Sequence, residues 1–170
     1  RWCADTVATV IKYTPKALAT PDDYDVRATI SWAAALVMAG TQHAGIQTDG
    51  VLHGSEHELS AIYDVTHGAG LAVMILAYFR YLKPIKTERL AKIMQWGFHL
   101  EYDPAETVEA GIERMEDFFR RIGMPTTLPE LGIDESRLTE MAEKAVLNGP
   151  LGHFYPMDAK QVEDMYRLAL

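Results

Sequence analysis

Apolar residues recur at three- and four-residue steps along nearly every segment of the chain, the spacing of one face of an α-helix. In "RWCADTVATVIKYTPKAL" the positions Trp2, Val7, Val10 and Ile11 follow it and predict a helix from about Arg1 to Tyr13. "TPDD" opens the next helix. Thr20 is a cap candidate there, and Pro21 suits a first helical position, where its missing N–H costs nothing. That helix continues through "YDVRATISWAAALVMAG" and stops at Gly40. The polar, glycine-punctuated "GTQHAGIQTDG" reads as a loop. Helical patterns follow in "VLHGSEHELSAIY", in "GLAVMILAYFRYL" and in the amphipathic "TERLAKIMQWGFHL". The run Leu71 to Phe79 is the most apolar and is expected to centre the core.

"DPAETVEAGIERMEDFFRRIG" carries a strong start signal: Asp103 at the cap, Pro104 next and Glu106 three residues on. It ends at Gly123, with Pro125 just beyond. "DESRLTEMAEKAVLNG" and "DAKQVEDMYRLAL" complete the set, and Asp158 with Gln161 repeats the capping-box pattern. No segment alternates as a strand does; "VATVIKY" is β-branched, but its flanks mark no hairpin. The fold class predicted is all-α, with about eight helices.

Composition narrows the function classes. The 170 residues suit one domain with a sizeable core. A net charge of −8 leaves no basic stripe for phosphates, so no nucleic-acid partner and no anionic membrane surface is expected. No apolar run reaches the ~18–20 residues of a membrane-spanning helix. The single cysteine, Cys3, excludes an intrachain disulfide and a cysteine-based zinc site. It fits a reducing cytoplasm and is expected to be buried. Trp32, Trp96 and the methionines fall at helical spacing and are expected in the core. The alternating charges of "ERMEDFFRR" predict a solvated face, as do Lys160, Glu163 and Asp164. No glycine-rich nucleotide loop is present. The chain has no starting Met and opens in mid-pattern, so a piece of a longer protein is expected.

The chemistry concentrates in "HGSEHELSAIYDVTHGAGLA", His53 to Ala72. It holds three of the six histidines, with Glu56, Glu58 and Asp64 between them. Neutral imidazoles close together suit Zn²⁺ or Fe²⁺. His53 and His57 are four residues apart and share a helix face. His53 and His67 are fourteen apart, a rise of about 21 Å on one straight helix at ~1.5 Å per residue, so sharing an ion requires the chain to turn back. "YDVTHGAG" offers that turn through Asp64, Gly68 and Gly70. Spacing permits either pair. Read alone, "HGSEH" also matches His-x-x-Glu-His, in which His53 and His57 bind zinc and Glu56 activates water, as in inverted zinc proteases. Outside the cluster, His43 reads as a loop histidine. His99 reads as a structural residue at a helix C-terminus, and His153 receives no role.

The longer string "EHELSAIYDVTHGAGLA" resembles the metal-binding signature of the iron-containing alcohol dehydrogenases, in their butanol-dehydrogenase-like branch. "TPDDYDVRATISWAAALVMAG" is similar to the helix preceding that signature, and "ERMEDFFRRIGMPTTLPELGI" to a later helix and loop. One departure is "DGVLH", where the family usually has Asp-Trp-Ala-Thr-His. The fold implied is the all-α C-terminal domain of the dehydroquinate synthase-like, iron-containing alcohol dehydrogenase fold, over residues 1–170.

The resemblance also implies residue roles: His53 and His67 as metal ligands, and His57 as a non-ligand beside cofactor and substrate that relays a proton. It implies Fe²⁺ or Zn²⁺, and NAD or NADP bound mainly by an N-terminal α/β domain outside these residues. That preceding chain would also carry the other two ligands, an Asp and a His four residues later. The implied activity is reversible oxidation of a small alcohol to an aldehyde or ketone by a cytoplasmic enzyme, for which a homo-oligomer is in keeping. Residues 1–170 alone are expected to be inactive. A reading of another class is a free-standing helical binding module built on a dehydrogenase scaffold.

Overall fold

The structure, a computed structural model, describes residues 2–170. Helix α1 is Trp2–Ala19, α2 Tyr24–Met38, α3 Val51–Tyr63, α4 His67–Leu82, α5 Thr87–Phe98, α6 Pro104–Arg121, α7 Leu138–Ala145 and α8 Ala159–Arg167. Short 3-10 turns at Pro129–Leu131 and Glu135–Arg137 precede α7. Among the described residues there is no strand, only an isolated antiparallel bridge between Leu151 and Met157. The start predicted at Arg1 lies outside the described residues.

Two boundaries differ from expectation. Helix α1 runs on through Pro15 to Ala19 rather than stopping at Tyr13. Thr20 closes α1 instead of opening α2: its N–H and hydroxyl both donate to the Lys16 carbonyl, at 2.8 and 2.9 Å. The cap of α2 is therefore Asp23, whose carboxylate accepts from the Val26 N–H at 3.1 Å. The signals at α6 and α8 both mark the caps, but only α8 completes the box; at α6 the Asp103 N–H donates to Thr107 Oγ1 at 2.8 Å. Asp103 accepts from Glu106 N–H, and Asp158 with Gln161 forms a full capping box.

The chain divides into two compact units. The first, residues 1–47 and 87–122, holds α1, α2, α5 and α6. Helices α5 and α6 pack together in it: a Cβ at Gly111 would stand 2.4 Å from Met94 Cγ, so glycine lets the helices meet this closely. Four core expectations fail here: Trp32, Trp96, Met38 and Cys3 are all exposed, Trp32 at 67% and Met38 at 84%. The residues buried on α1 and α2 are instead Ala4, Val26 and Ala33. Each of Cys3 and Trp32 lies next to a buried alanine, about 100° round the helix from it. The charged face of α6 is solvated as expected, with Arg120 paired to Glu116 one turn earlier.

The second unit, residues 48–86 and 123–170, holds α3, α4, α7 and α8. Helix α4 is its core: Ala72, Val73, Met74, Leu76, Ala77 and Tyr78 are buried, inside the run expected to centre the core. Helix α3 packs against α4 and α7, and α8 packs against α4 and α7. The loop before α8 is tied down by Asp49. Its carboxylate accepts from the Tyr78 hydroxyl at 2.5 Å and from the His153 and Phe154 N–H groups at 2.9 and 2.8 Å. Tyr166, on α8, is fully buried and donates to the Ser55 carbonyl at 2.7 Å.

Burial holds the Tyr78 and Tyr166 phenols well above their ordinary range, with Asp49 adding to the effect at Tyr78. A raised folded-state value favours the neutral phenol, so this stabilisation is complete below pH ~10. It is lost as pH rises from there toward the folded-state values. Phenolate absorbance is therefore expected to rise in two stages on alkaline titration. Tyr78 and Tyr166 form the later stage and ionise only together with loss of helical circular dichroism. A single early stage involving all eight tyrosines would contradict this.

Candidate metal centre

The cluster lies wholly in the second unit, on the α3–α4 hairpin. Apolar positions Val51 and Leu59, with Ser55 between them, set the buried face of α3. His53 and His57 share a face four residues apart and are exposed. Helix α3 ends on Asp64, in the left-handed region at φ 54°, whose N–H donates to the Ser60 carbonyl. Thr66 is the N-cap of α4 and His67 its first residue. The turn is thus Asp64, Val65 and Thr66. Gly68 and Gly70, expected in it, are helical instead.

The reversal brings all three rings together. Ring centroids stand 5.4 Å apart for His53 and His67, 5.5 Å for His57 and His67, and 6.2 Å for His53 and His57. Two imidazoles bound through nitrogen at ~2.1 Å to one tetrahedral ion hold their centroids roughly 5.4 Å apart. The donor set therefore fits a divalent ion, and both pairs that include His67 meet the spacing. The tightest group of potential donors is a different trio: Glu56, His57 and His67 offer atoms all within 4.8 Å of one another. His53 is not in that trio.

Glu56, considered in the sequence only within the zinc-protease alternative, takes a different part here. It is fully buried. Ser60 Oγ donates to its Oε1 at 2.5 Å, and its Oε2 meets His67 Nδ1. The Ser60 hydroxyl also lies 3.1 Å from the Val65 carbonyl, but its single proton serves the shorter contact. Fully buried and turned onto Ser60 and His67, Glu56 is closed off from solvent water, so its role in the inverted zinc-protease pattern fails on geometry. The signal that pointed to its true setting was the pair Glu56 and Ser60, four residues apart on one helix face, opposite "HGAG".

The remaining histidines stand elsewhere. His43 lies in the turns that follow α2, in the first unit. His99 follows α5 with a left-handed φ of 54°, also in the first unit. His153 gives its backbone N–H to Asp49, and no side-chain role follows from that contact. The departure at "DGVLH" falls on Gly50, Val51 and Leu52; Asp49, which the string shares with the family pattern, anchors the 150–158 loop.

Comparison with known proteins gives a consistent result. The profile of the Fe-containing alcohol dehydrogenase family, C-terminal, matches residues 1–170. NADH-dependent butanol dehydrogenase B of Clostridium acetobutylicum is 34% identical over 94% of the chain and 42% of its own length. The NADPH-dependent aldehyde reductase YqhD of Escherichia coli is 31% identical over 88% of the chain and 39% of its own length. The crystal structure of NADH-dependent butanol dehydrogenase A from Thermotoga maritima superposes with a TM-score of 0.91 at 28% identity, over 98% of this chain and 44% of that one. The chain spans less than half the length of each of these relatives.

Proposed function

The chain belongs to the Fe-containing alcohol dehydrogenase family, within its C-terminal part, and from that premise we propose that it is the metal-holding half of an oxidoreductase interconverting small alcohols and aldehydes with NAD or NADP. The observation that supports this reading best is the gathering of His53, His57 and His67 on one hairpin, with His67 at metal-ligand spacing from each of the other two. His53 and His67 are the ligands in this reading. Glu56 is left out of the ligand set in this reading because it is fully buried and turned onto His67 Nδ1. A set of imidazoles accepts iron or zinc. The remaining ligands and the nucleotide-binding domain belong to preceding chain in the full-length protein, as the length of the relatives supports.

A divalent ion held there supplies Lewis acidity toward a substrate oxygen. His57 lies beside both ligand rings and is exposed, so its imidazole can pass a proton between the substrate hydroxyl and solvent. His53 and His67 fix where the substrate oxygen sits, and the α3–α4 turn fixes the two ligands relative to each other. The buried face of α3 keeps the site on rigid helix rather than loop.

Residues 1–170 alone are expected to show no alcohol oxidation with NAD or NADP and only weak Zn²⁺ binding, whereas the full-length protein shows both activity and tight binding. Turnover assays and calorimetric titration on the two chains check this. Metal-dependent turnover by the short chain would overturn the division of the site.

A further inference from the structure

A fully buried carboxylate against a surface imidazole is costly unless it has a task. Glu56 has no exposed surface, while the His67 side chain it meets is 47% exposed. We infer that Glu56 is a positioning residue for His67: it fixes which ring nitrogen carries the proton and which way the ring faces. The inference deepens the metal reading of His67 and rests on it.

A carboxylate accepts hydrogen bonds, so the contact with Glu56 Oε2 places the proton of His67 on Nδ1. The lone pair is then on Nε2, the nitrogen turned away from Glu56. A ligand histidine held in this way has a fixed tautomer, a fixed ring plane and greater basicity toward a metal. The carboxylate is itself held from the other side by Ser60 at 2.5 Å. Gly70 supplies the remaining support by having no side chain. A Cβ there would stand 2.5 Å from Glu56 Oε1, 2.7 Å from its Cγ and 3.0 Å from its Cδ. The helix that presents His67 at its first residue thus also carries, one turn on, the gap that admits the carboxylate. Glu56, Ser60, His67 and Gly70 form one unit of donor, acceptor and space across the turn.

The test uses the full-length protein, labelled with ¹⁵N-histidine and freed of metal, so that it reads the positioning without relying on catalysis. Two-bond ¹H–¹⁵N correlations are expected to show His67 as the Nδ1–H tautomer. Glu56→Leu shifts it to a mixture, and Glu56→Gln, whose amide oxygen still accepts, largely retains it. Titration with Co²⁺ is expected to show affinity reduced roughly 10–100-fold in Glu56→Leu and partly rescued in Glu56→Gln. Gly70→Ala keeps the carboxylate but crowds it, and is expected to move the tautomer in the same direction as Glu56→Leu; it serves if Glu56→Leu does not fold. His67 as the Nε2–H tautomer in the unsubstituted protein would overturn the inference. So would a tautomer and affinity unchanged in both variants. If the unsubstituted protein shows the Nδ1–H tautomer but binds no Co²⁺, the positioning stands and the metal reading of His67 fails instead.

Discussion

Replacing His67 or His53 with alanine in the full-length protein is expected to abolish alcohol oxidation, by roughly 10³-fold or more in kcat/KM, and to strip the metal. The Lewis acid contributes several kcal/mol to charge stabilisation in such reactions, and each 1.36 kcal/mol is a factor of ten. Losing one of few ligands removes that contribution together with the ion. His57→Ala is expected to behave differently. Metal content stays at the unsubstituted level, while kcat falls roughly 10²-fold, the lower end of what a positioned proton-transfer group provides. Metal analysis of the three purified variants beside their kinetics separates the roles. If His57→Ala loses the ion and His53→Ala keeps it, the ligands are those of the tighter trio, and the assignment of His53 is wrong.

Asp49→Ala is expected to cost about 2–4 kcal/mol of stability, the range for removing a charged acceptor that serves several donors. The Tyr78 hydroxyl and the N–H groups of His153 and Phe154 all lose their acceptor at once. Tyr78 sits in the core of α4, so its hydroxyl has little water to turn to. At roughly 2–4 °C per kcal/mol for a chain of this size, the melting temperature should fall by roughly 5–15 °C. Asn at this position keeps an oxygen for the two backbone donors but turns an amide toward Tyr78, so it should recover about half of the loss. Thermal melts of the two variants check the prediction. An unchanged midpoint in Asp49→Ala would mean that the 150–158 loop is held by the Leu151–Met157 bridge rather than by Asp49.

Features whose cause is local were legible in the sequence. The caps at Asp103 and Asp158 depend on residues within one turn; both residues cap their helices, and the full box forms at Asp158. The all-α class and the core run in α4 followed from periodicity, which reports which residues share a face. It does not report which faces are covered: Trp32, Trp96 and Met38 lie at helical spacing yet are exposed. The start of α2 was misplaced because Thr20 had a competing bond back to Lys16, a choice that composition does not reveal. At the site, residue type was enough to single out His53, His57 and His67. Glu56 was read as a possible catalytic carboxylate because its burial depends on Gly70 and its contact with His67 crosses the turn, eleven residues along the chain.

The central claim is that His53 and His67 hold one divalent ion while His57 stands beside it. Anomalous diffraction from crystals of the metal-loaded, full-length protein tests it most directly, with data on both sides of the metal's absorption edge. The account predicts a single peak within bonding distance of the Nε2 atoms of His53 and His67, with the His57 ring beyond bonding distance and Glu56 still against His67 Nδ1. A peak bonded to His57 and Glu56, with His53 turned away, would contradict it.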